Sequence, residues 1–336
     1  MKMRALLQDR YGTVDDLHVG EVDVPAIAAD EVLLRVRATN VHADVWHVLT
    51  GRPYFMRIMG GGFRRPKCRI PGTDAAGVVE AIGGDVTRFE VGDEVFGECV
   101  RGHQWKNGGT FAEFVAVREL QLEAKPATLT FEQAGAMPTS ALIALQAVHD
   151  EARVARGQRV LVIGAAGGVG AYVVQLALAR GAIVTGVDAP GKLEMVRSLG
   201  ATDVVDFTTQ DVASLDARFD VIVDIASAQP YRELRRVLEP DGSYVLIGHD
   251  HYGAKGAWLG SMGTFLKLLV RSPFNRQLNV TRAGATKEPM RELAELAAAG
   301  KLTTIIDRTY PLEQGDDAMR RLMSGDACGK VVVKIG

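Results

Sequence analysis

The chain has 336 residues, 47% of them hydrophobic and 24% charged, with a formal net charge of −2. That length supports two domains with cores of their own, and the composition is that of a globular protein. The near-neutral balance, whose densest basic stretch is only Phe63-Arg-Arg-Pro-Lys-Cys-Arg69, argues against nucleic acid or an anionic membrane as a partner.

Residues 1–126 read as short strands between turn residues. The segment from Glu31 to Ala38 ends in an apolar/polar alternation, the mark of a half-buried strand. Segments 76–82, 93–97 and 111–117 follow, punctuated by Gly83-Gly84, Gly92 and Gly108-Gly109. Cys68, Cys99 and Cys328 are far apart, so they provide neither a disulfide framework nor a four-thiolate zinc knot. With an N-terminus that lacks the apolar core of a signal peptide, they lead to the expectation of a cytoplasmic protein.

From 127 to 284 the texture changes to strands alternating with helices, the α/β pattern of a doubly wound parallel sheet. Strands are expected at 159–163, 182–187, 203–207, 220–224, 243–247 and 278–282. Helices are expected at 169–180, 191–199, 231–238 and 262–270. Beyond 284 an amphipathic helix over 289–300 and two short strands, around 305–306 and 331–333, complete the chain.

One stretch carries the chemistry. Val160-Leu-Val-Ile163 opens into Gly164-Ala-Ala-Gly-Gly-Val-Gly170, which opens into an apolar helix. A glycine cluster between strand and helix lets a pyrophosphate approach backbone N–H groups where the helix dipole favours negative charge. Residues 160–179 hold one polar side chain, Gln175, and so also resemble a membrane span. Four glycines within seven residues oppose that reading.

The chain resembles the medium-chain dehydrogenase/reductase superfamily over essentially its full length. The motifs that carry the resemblance are Ile70-Pro-Gly-Thr-Asp-Ala-Ala-Gly-Val-Val-Glu-Ala-Ile-Gly83, Gly92-Asp-Glu-Val-Phe-Gly97, Gly109-Thr-Phe-Ala-Glu-Phe114, the glycine cluster, and Gly329-Lys-Val-Val332. The resemblance implies a GroES-like β-rich catalytic domain from residues 1–126 and 285–336, a Rossmann domain from 127–284, and an active site in the cleft between them. The zinc-binding branch needs three protein ligands. Aligned on it, His42 takes the first ligand position, Gly72-Thr73-Asp74 replaces the motif carrying the second, and the third falls near Pro138. The resemblance therefore runs to the zinc-independent quinone oxidoreductase and enone reductase branch, with no metal expected.

In that branch relatives carry Asn where this chain has His42. An imidazole there reads either as the proton donor to an acceptor carbonyl or as a satisfied structural histidine. Asp44 and His47 fall at proton-relay positions of alcohol dehydrogenases, or form a plain ion pair. Tyr54 is a candidate phenolic acid or stacking ring, or a packed loop aromatic. Trp46, Phe55, Met56, Ile58 and Met59 suit an apolar pocket for a small hydrophobic electrophile, with Trp258 and Phe265 as further walls or as core.

For the cofactor, NAD(P)H, the expected contacts are Gly164, Ala165, Gly167, Gly168, Val169 and Gly170 at the pyrophosphate. Thr139 and Pro138 belong beside the nicotinamide by resemblance. Ser227, Ala228, Ile247 and Gly248 lie at strand carboxyl ends. Asp188 favours NADH, or else caps a helix, and Lys192 favours NADPH. Three activities stay open: quinone or enone reduction, alcohol/aldehyde oxidoreduction through a His/Asp relay, and NAD(P)H binding without rapid turnover in a structural or partner-binding protein. The sheet edge expected at 278–282 is the natural contact of a homodimer.

Overall fold

A computed structural model describes the chain apart from residues 102–106, 227–228, 249–251, 253–257, 259–261, 273–274, 276 and 281–286. For some further residues in helices and strands, Met59 and Phe265 among them, only the backbone is described. Two compact units are present: residues 1–139 with 256–258 and 283–336, and residues 140–255 with 259–282.

The first unit opens with the antiparallel pair β1 (Lys2–Leu7) and β2 (His18–Asp23). β3 (Glu31–Val41) is its longest strand, with Val32, Leu34, Val36 and Ala38 buried and Arg35 and Arg37 exposed, as the alternation requires. The helix Ala43–Thr50 follows at once, and then β4 (Asp74–Ile82), β5 (Glu94–Glu98), β6 (Phe114–Arg118) and β7 (Leu122–Ala124).

The second unit holds β8 (Arg159–Ile163), β9 (Ile183–Asp188), β10 (Asp203–Asp206), β11 (Phe219–Asp224), β12 (Leu238–Leu246) and β13 (Leu278–Val280). They form one sheet in the order β10-β9-β8-β11-β12-β13, every neighbouring pair parallel. The chain leaves β8 toward β9 on one side, and β11 toward β12 on the other. The carboxyl ends of β8 and β11 therefore mark the topological switch point where such sheets bind ligands. Leu161, Val187, Phe219, Ile222 and Leu234 form part of the core under the sheet.

Several boundaries differ from the sequence reading: the first unit runs to Thr139 rather than 126, and the strand expected at 111–117 is Phe114–Arg118. The helix expected at 231–238 stops as Tyr231–Leu234 plus a short 3-10 turn, and β12 begins at Leu238 rather than 243. Leu238 pairs with Phe219 of β11; a buried cross-strand partner outweighs the helical periodicity of the preceding residues. The last expected strand is described only to Val280.

The chain then returns to the first unit as β14 (Ile306–Pro311) and β15 (Lys330–Lys334). The seven-stranded sheet there runs β14-β15-β3-β4-β5-β7, with β6 also on β3. β15 lies antiparallel to β3, Val331 opposite Val41, so distant parts of the chain build one sheet. The stretch 160–179 is a buried strand, a loop and a helix, and no helix among the described residues is long and apolar enough to cross a membrane.

Candidate active site

In the second unit the glycine cluster joins the carboxyl end of β8 to the helix Gly170–Ala179. Gly164 and Ala165 donate backbone N–H bonds to Val187 O at 2.9 and 3.1 Å, which ties the loop to β9. Gly164 has φ of +84°, the left-handed region glycine tolerates. A Cβ on Gly170 would collide with the Gly164 carbonyl oxygen, so the tight turn requires glycine there. Ala171 N–H is accepted by Gly167 O at 3.0 Å and Val173 N–H by Val169 O at 3.1 Å. The loop thus ends at a helix N-terminus, whose first N–H groups are those an anion accepts from.

Asp188, the last residue of β9, is buried and turned toward that loop. Its Oδ2 accepts from Ala166 N–H and its Oδ1 from Ala189 N–H, both at 2.8 Å. It braces the loop rather than capping the next helix, which starts without a side-chain cap. Lys192 Nζ lies 3.9 Å from Asp188 Oδ1. Ile247 and Gly248 follow β12, their N–H groups donating to Asp224 O at 2.9 and 3.2 Å. Ser227 and Ala228 lie outside the described residues.

In the first unit a polar network is buried among apolar strands. His42 precedes the helix Ala43–Thr50, and its Nδ1 sits 2.9 Å from Asp44 Oδ1, their side chains 14% and 5% exposed. Asp44 Oδ2 accepts from Asn107 Nδ2 at 3.1 Å, and Asn107 Oδ1 accepts from Gly72 N–H at 2.8 Å. An ionised Asp44 accepts from both sides, so it holds the imidazole proton on Nδ1 and presents Nε2 as the reactive nitrogen.

A second chain of bonds centres on Asp74, fully buried at the start of β4. Its Oδ2 accepts from Asn40 Nδ2 at 2.7 Å. Its Oδ1 accepts from the backbone N–H and the hydroxyl of Thr139, at 3.1 and 2.6 Å. Thr139 Oγ1 is also 3.0 Å from Glu98 Oε1. Burial pushes the Asp74 carboxyl up, opposed by the Lys330 charge, by Thr139 and Asn40, and by His42. Burial and then the Asp74 charge push Glu98 up to about 7. Lys330, on β15, is brought down to about 8 by burial, against the pull of Asp74 and Asp44.

The structure brings His42 and Asp44 together but sends His47 elsewhere: its Nδ1 donates to Arg52 O at 2.6 Å, and Trp46 packs edge-on against it at 5.1 Å. Trp46 is 3% exposed, a core residue rather than an open pocket wall. Tyr54 packs edge-on against Trp258 at 5.5 Å, with the Arg57 guanidinium over its ring. Phe55 is half-buried and Ile58 exposed, while the side chains of Met59 and Phe265 lie outside the described residues. A cavity of about 650 Å³ in this unit is lined by Tyr11, His47, Met56, Arg57, Cys68 and Asn107, among others.

Asn107, Glu98 and Lys330 were not singled out from the sequence. Glu98 and Lys330 each end a strand whose other end carries a like charge, Glu94 or Lys334, so the sequence does not tell the buried member from the exposed one; Asn107 had no signal, because its partner Asp44 is distant in sequence.

The zinc-site positions do not fit a metal. His42 could ligate through Nε2 alone, both Asp74 oxygens are occupied, and Pro138 offers no donor side chain, which leaves fewer than the three ligands a catalytic zinc needs. No group of three or more His, Cys, Asp or Glu among the described residues is arranged to hold a metal.

The alcohol dehydrogenase GroES-like domain family matches residues 28–127, and the zinc-binding dehydrogenase family residues 199–333. A chloroplastic quinone-oxidoreductase homolog of Spinacia oleracea is 32% identical over 99% of this chain and 98% of its own length. The 2-methylene-furan-3-one reductase of Solanum lycopersicum is 30% identical, over 99% and 79%. A mitochondrial NAD(P)H oxidoreductase of Mus musculus is 31% identical, over 99% and 89%. Among solved structures, the quinone oxidoreductase from Coxiella burnetii superposes with a TM-score of 0.86 over the full length of both chains, at 23% identity, and shares the fold.

These relatives overturn the expectation of a cytoplasmic protein: the spinach protein is chloroplastic and the mouse protein mitochondrial. The three cysteines and the N-terminal composition do not discriminate among reducing compartments. The residue motifs, both sheets and the full-length matches agree, and the chain belongs to the medium-chain dehydrogenase/reductase superfamily, in its quinone oxidoreductase branch.

Proposed function

We propose that the chain reduces a quinone or an α,β-unsaturated carbonyl with a nicotinamide dinucleotide and without zinc. The observation that carries this reading is the shortfall of donors at the zinc-site positions: Asp74 is committed to Asn40 and Thr139, Pro138 has no donor, and His42 alone falls short of the three protein ligands a catalytic zinc needs. The names of the spinach and tomato relatives support the substrate class.

The cofactor, when bound, supplies the hydride. The chain's own residues do the rest. The turn Gly164–Gly170 would bring the pyrophosphate to the helix N-terminus at Gly168, Val169 and Gly170, while the N–H groups of Gly164, Ala165 and Ala166 tie the loop to β9. His42 holds a proton at Nε2 for the reduced substrate, and Asp44 on Nδ1 stabilises the imidazolium. By resemblance, Thr139 and Pro138 would hold the nicotinamide end of the cofactor. Asp188 keeps a negative charge at the end of β9, which disfavours a 2′-phosphate and so favours NADH. β13 is the last strand of its sheet among the described residues, and that edge suits pairing with a second copy in a homodimer.

Oxidation of NADH and NADPH by purified protein is the test, with a simple quinone, an enone and the matching saturated ketone as acceptors. Turnover with the first two alone, unaffected by chelators, is expected. Turnover of the saturated ketone, or one tightly bound zinc per chain, would overturn the reading.

A further inference from the structure

Thr139 Oγ1 stands 2.6 Å from Asp74 Oδ1 and 3.0 Å from Glu98 Oε1. A hydroxyl carries one proton and two lone pairs. It can satisfy one ionised carboxylate, and the other would then face its lone pairs at hydrogen-bond distance. Two buried anions cannot both be served this way, so a second proton sits in the network.

The surroundings say which carboxyl holds it. Asp74 accepts from Asn40 Nδ2 at 2.7 Å and from the Thr139 backbone N–H at 3.1 Å, and takes the shorter of the two hydroxyl contacts. Lys330 on β15 and His42 also act on it as positive charges. Each of these favours ionised Asp74. Glu98, at the end of β5, has its side-chain hydrogen bond to Thr139 alone among the described residues. The charged groups that act on it are Asp74 on β4 and Asp44 on the helix Ala43–Thr50, both negative, and the thiol of Cys99 is its neighbour in the chain. It is 4% exposed. An anion there would stand uncompensated beside two others.

We propose that Glu98 is a neutral carboxylic acid that donates its proton to Thr139 Oγ1, which turns the Thr139 hydroxyl toward Asp74 and makes Glu98 the positioning residue for Thr139. The bonds run in one direction, Glu98 O–H to Thr139 O–H to Asp74 carboxylate. Burial, which pushes Glu98 up to about 7, acts in the same sense. Where Thr139 flanks the nicotinamide, a part of the argument that rests on the proposed function, loss of this proton releases a residue that orients the reacting ring. Activity then falls on the alkaline side of neutrality.

Infrared spectroscopy of the intact protein, with isotope-edited Glu, reads the proton directly and needs no turnover. At pH 6 the wild type should show the C=O stretch of a buried carboxylic acid, titrating away near neutrality and absent from Glu98→Gln. In steady-state kinetics Glu98→Gln, whose amide still donates to Thr139, should lose the alkaline fall in kcat. Glu98→Met, with no donor, should lower kcat roughly tenfold at pH 6. Absence of the acid band at pH 6, its persistence in Glu98→Gln, or an unchanged alkaline limb in Glu98→Gln would overturn the proposal. A protein inactive on quinones and enones that still shows the Glu98 band would refute the proposed function and leave the protonation of Glu98 standing.

Discussion

His42 shows how one neighbour decides what a side chain can do. Asp44 at 2.9 Å holds Nδ1, and Asn107 holds Asp44, so the imidazole is fixed in tautomer and in orientation. General acids contribute about 10²–10⁴-fold. Replacing His42 with Ala should therefore lower kcat on an enone by roughly a hundredfold with cofactor affinity intact, and Asp44→Asn by roughly tenfold. Steady-state rates beside a fluorescence titration of the cofactor check both. An unchanged kcat in His42→Ala would make the residue structural. His42 and Asp44 were each legible as candidates, but the sequence set Asp44 beside His47, and its pairing with His42 came only with the fold. Asn107 was not legible, since it reaches Asp44 from 63 residues away.

Helices and strands were read most accurately where pattern and packing agree. β8 falls where its apolar run predicts, and the helix after the glycine cluster spans Gly170–Ala179 within the expected 169–180. β12 was misread at its start because Leu238 obeys its partner Phe219 and not its own neighbours in sequence. The loop itself is the most demanding element. Gly170→Ala places a methyl against the Gly164 carbonyl oxygen, so the turn must open. Cofactor affinity should fall tenfold or more, about 1.4 kcal/mol, read by the same titration. Asp188→Ser should lower the preference for NADH over NADPH, measured as the ratio of kcat/KM values, by removing the charge that opposes a 2′-phosphate. An unchanged ratio would leave Asp188 as a brace for the loop only.

At the scale of the molecule, the buried titratable groups tie stability to pH. Glu98 is raised from 4.5 to about 7, so the folded state binds more protons than the unfolded one in that interval, and stability falls as pH rises through it. Asp74, raised by burial, acts in the same direction. Lys330 is lowered from 10.5 to about 8, so the unfolded state binds more protons there and stability recovers with rising pH. A shallow minimum near pH 7 to 8 is expected in chemical denaturation. Glu98→Gln should flatten its acid side by on the order of 3 kcal/mol between pH 5 and 8; an identical pH profile in the variant would contradict the burial argument. By itself the sequence determined the family, the β-rich and doubly wound parts, the glycine loop and the candidate histidine, because each is written in local periodicity or in closely spaced motifs. The tertiary structure alone decided that His47 faces Arg52 and not Asp44, that Trp46 is core, and that Glu98, Thr139, Asp74 and Lys330 share one buried network. The last of these depends on β4, β5 and β15 lying in one sheet, and burial, which sets the charges of Asp74, Glu98 and Lys330, belongs to the fold and not to any segment of the chain.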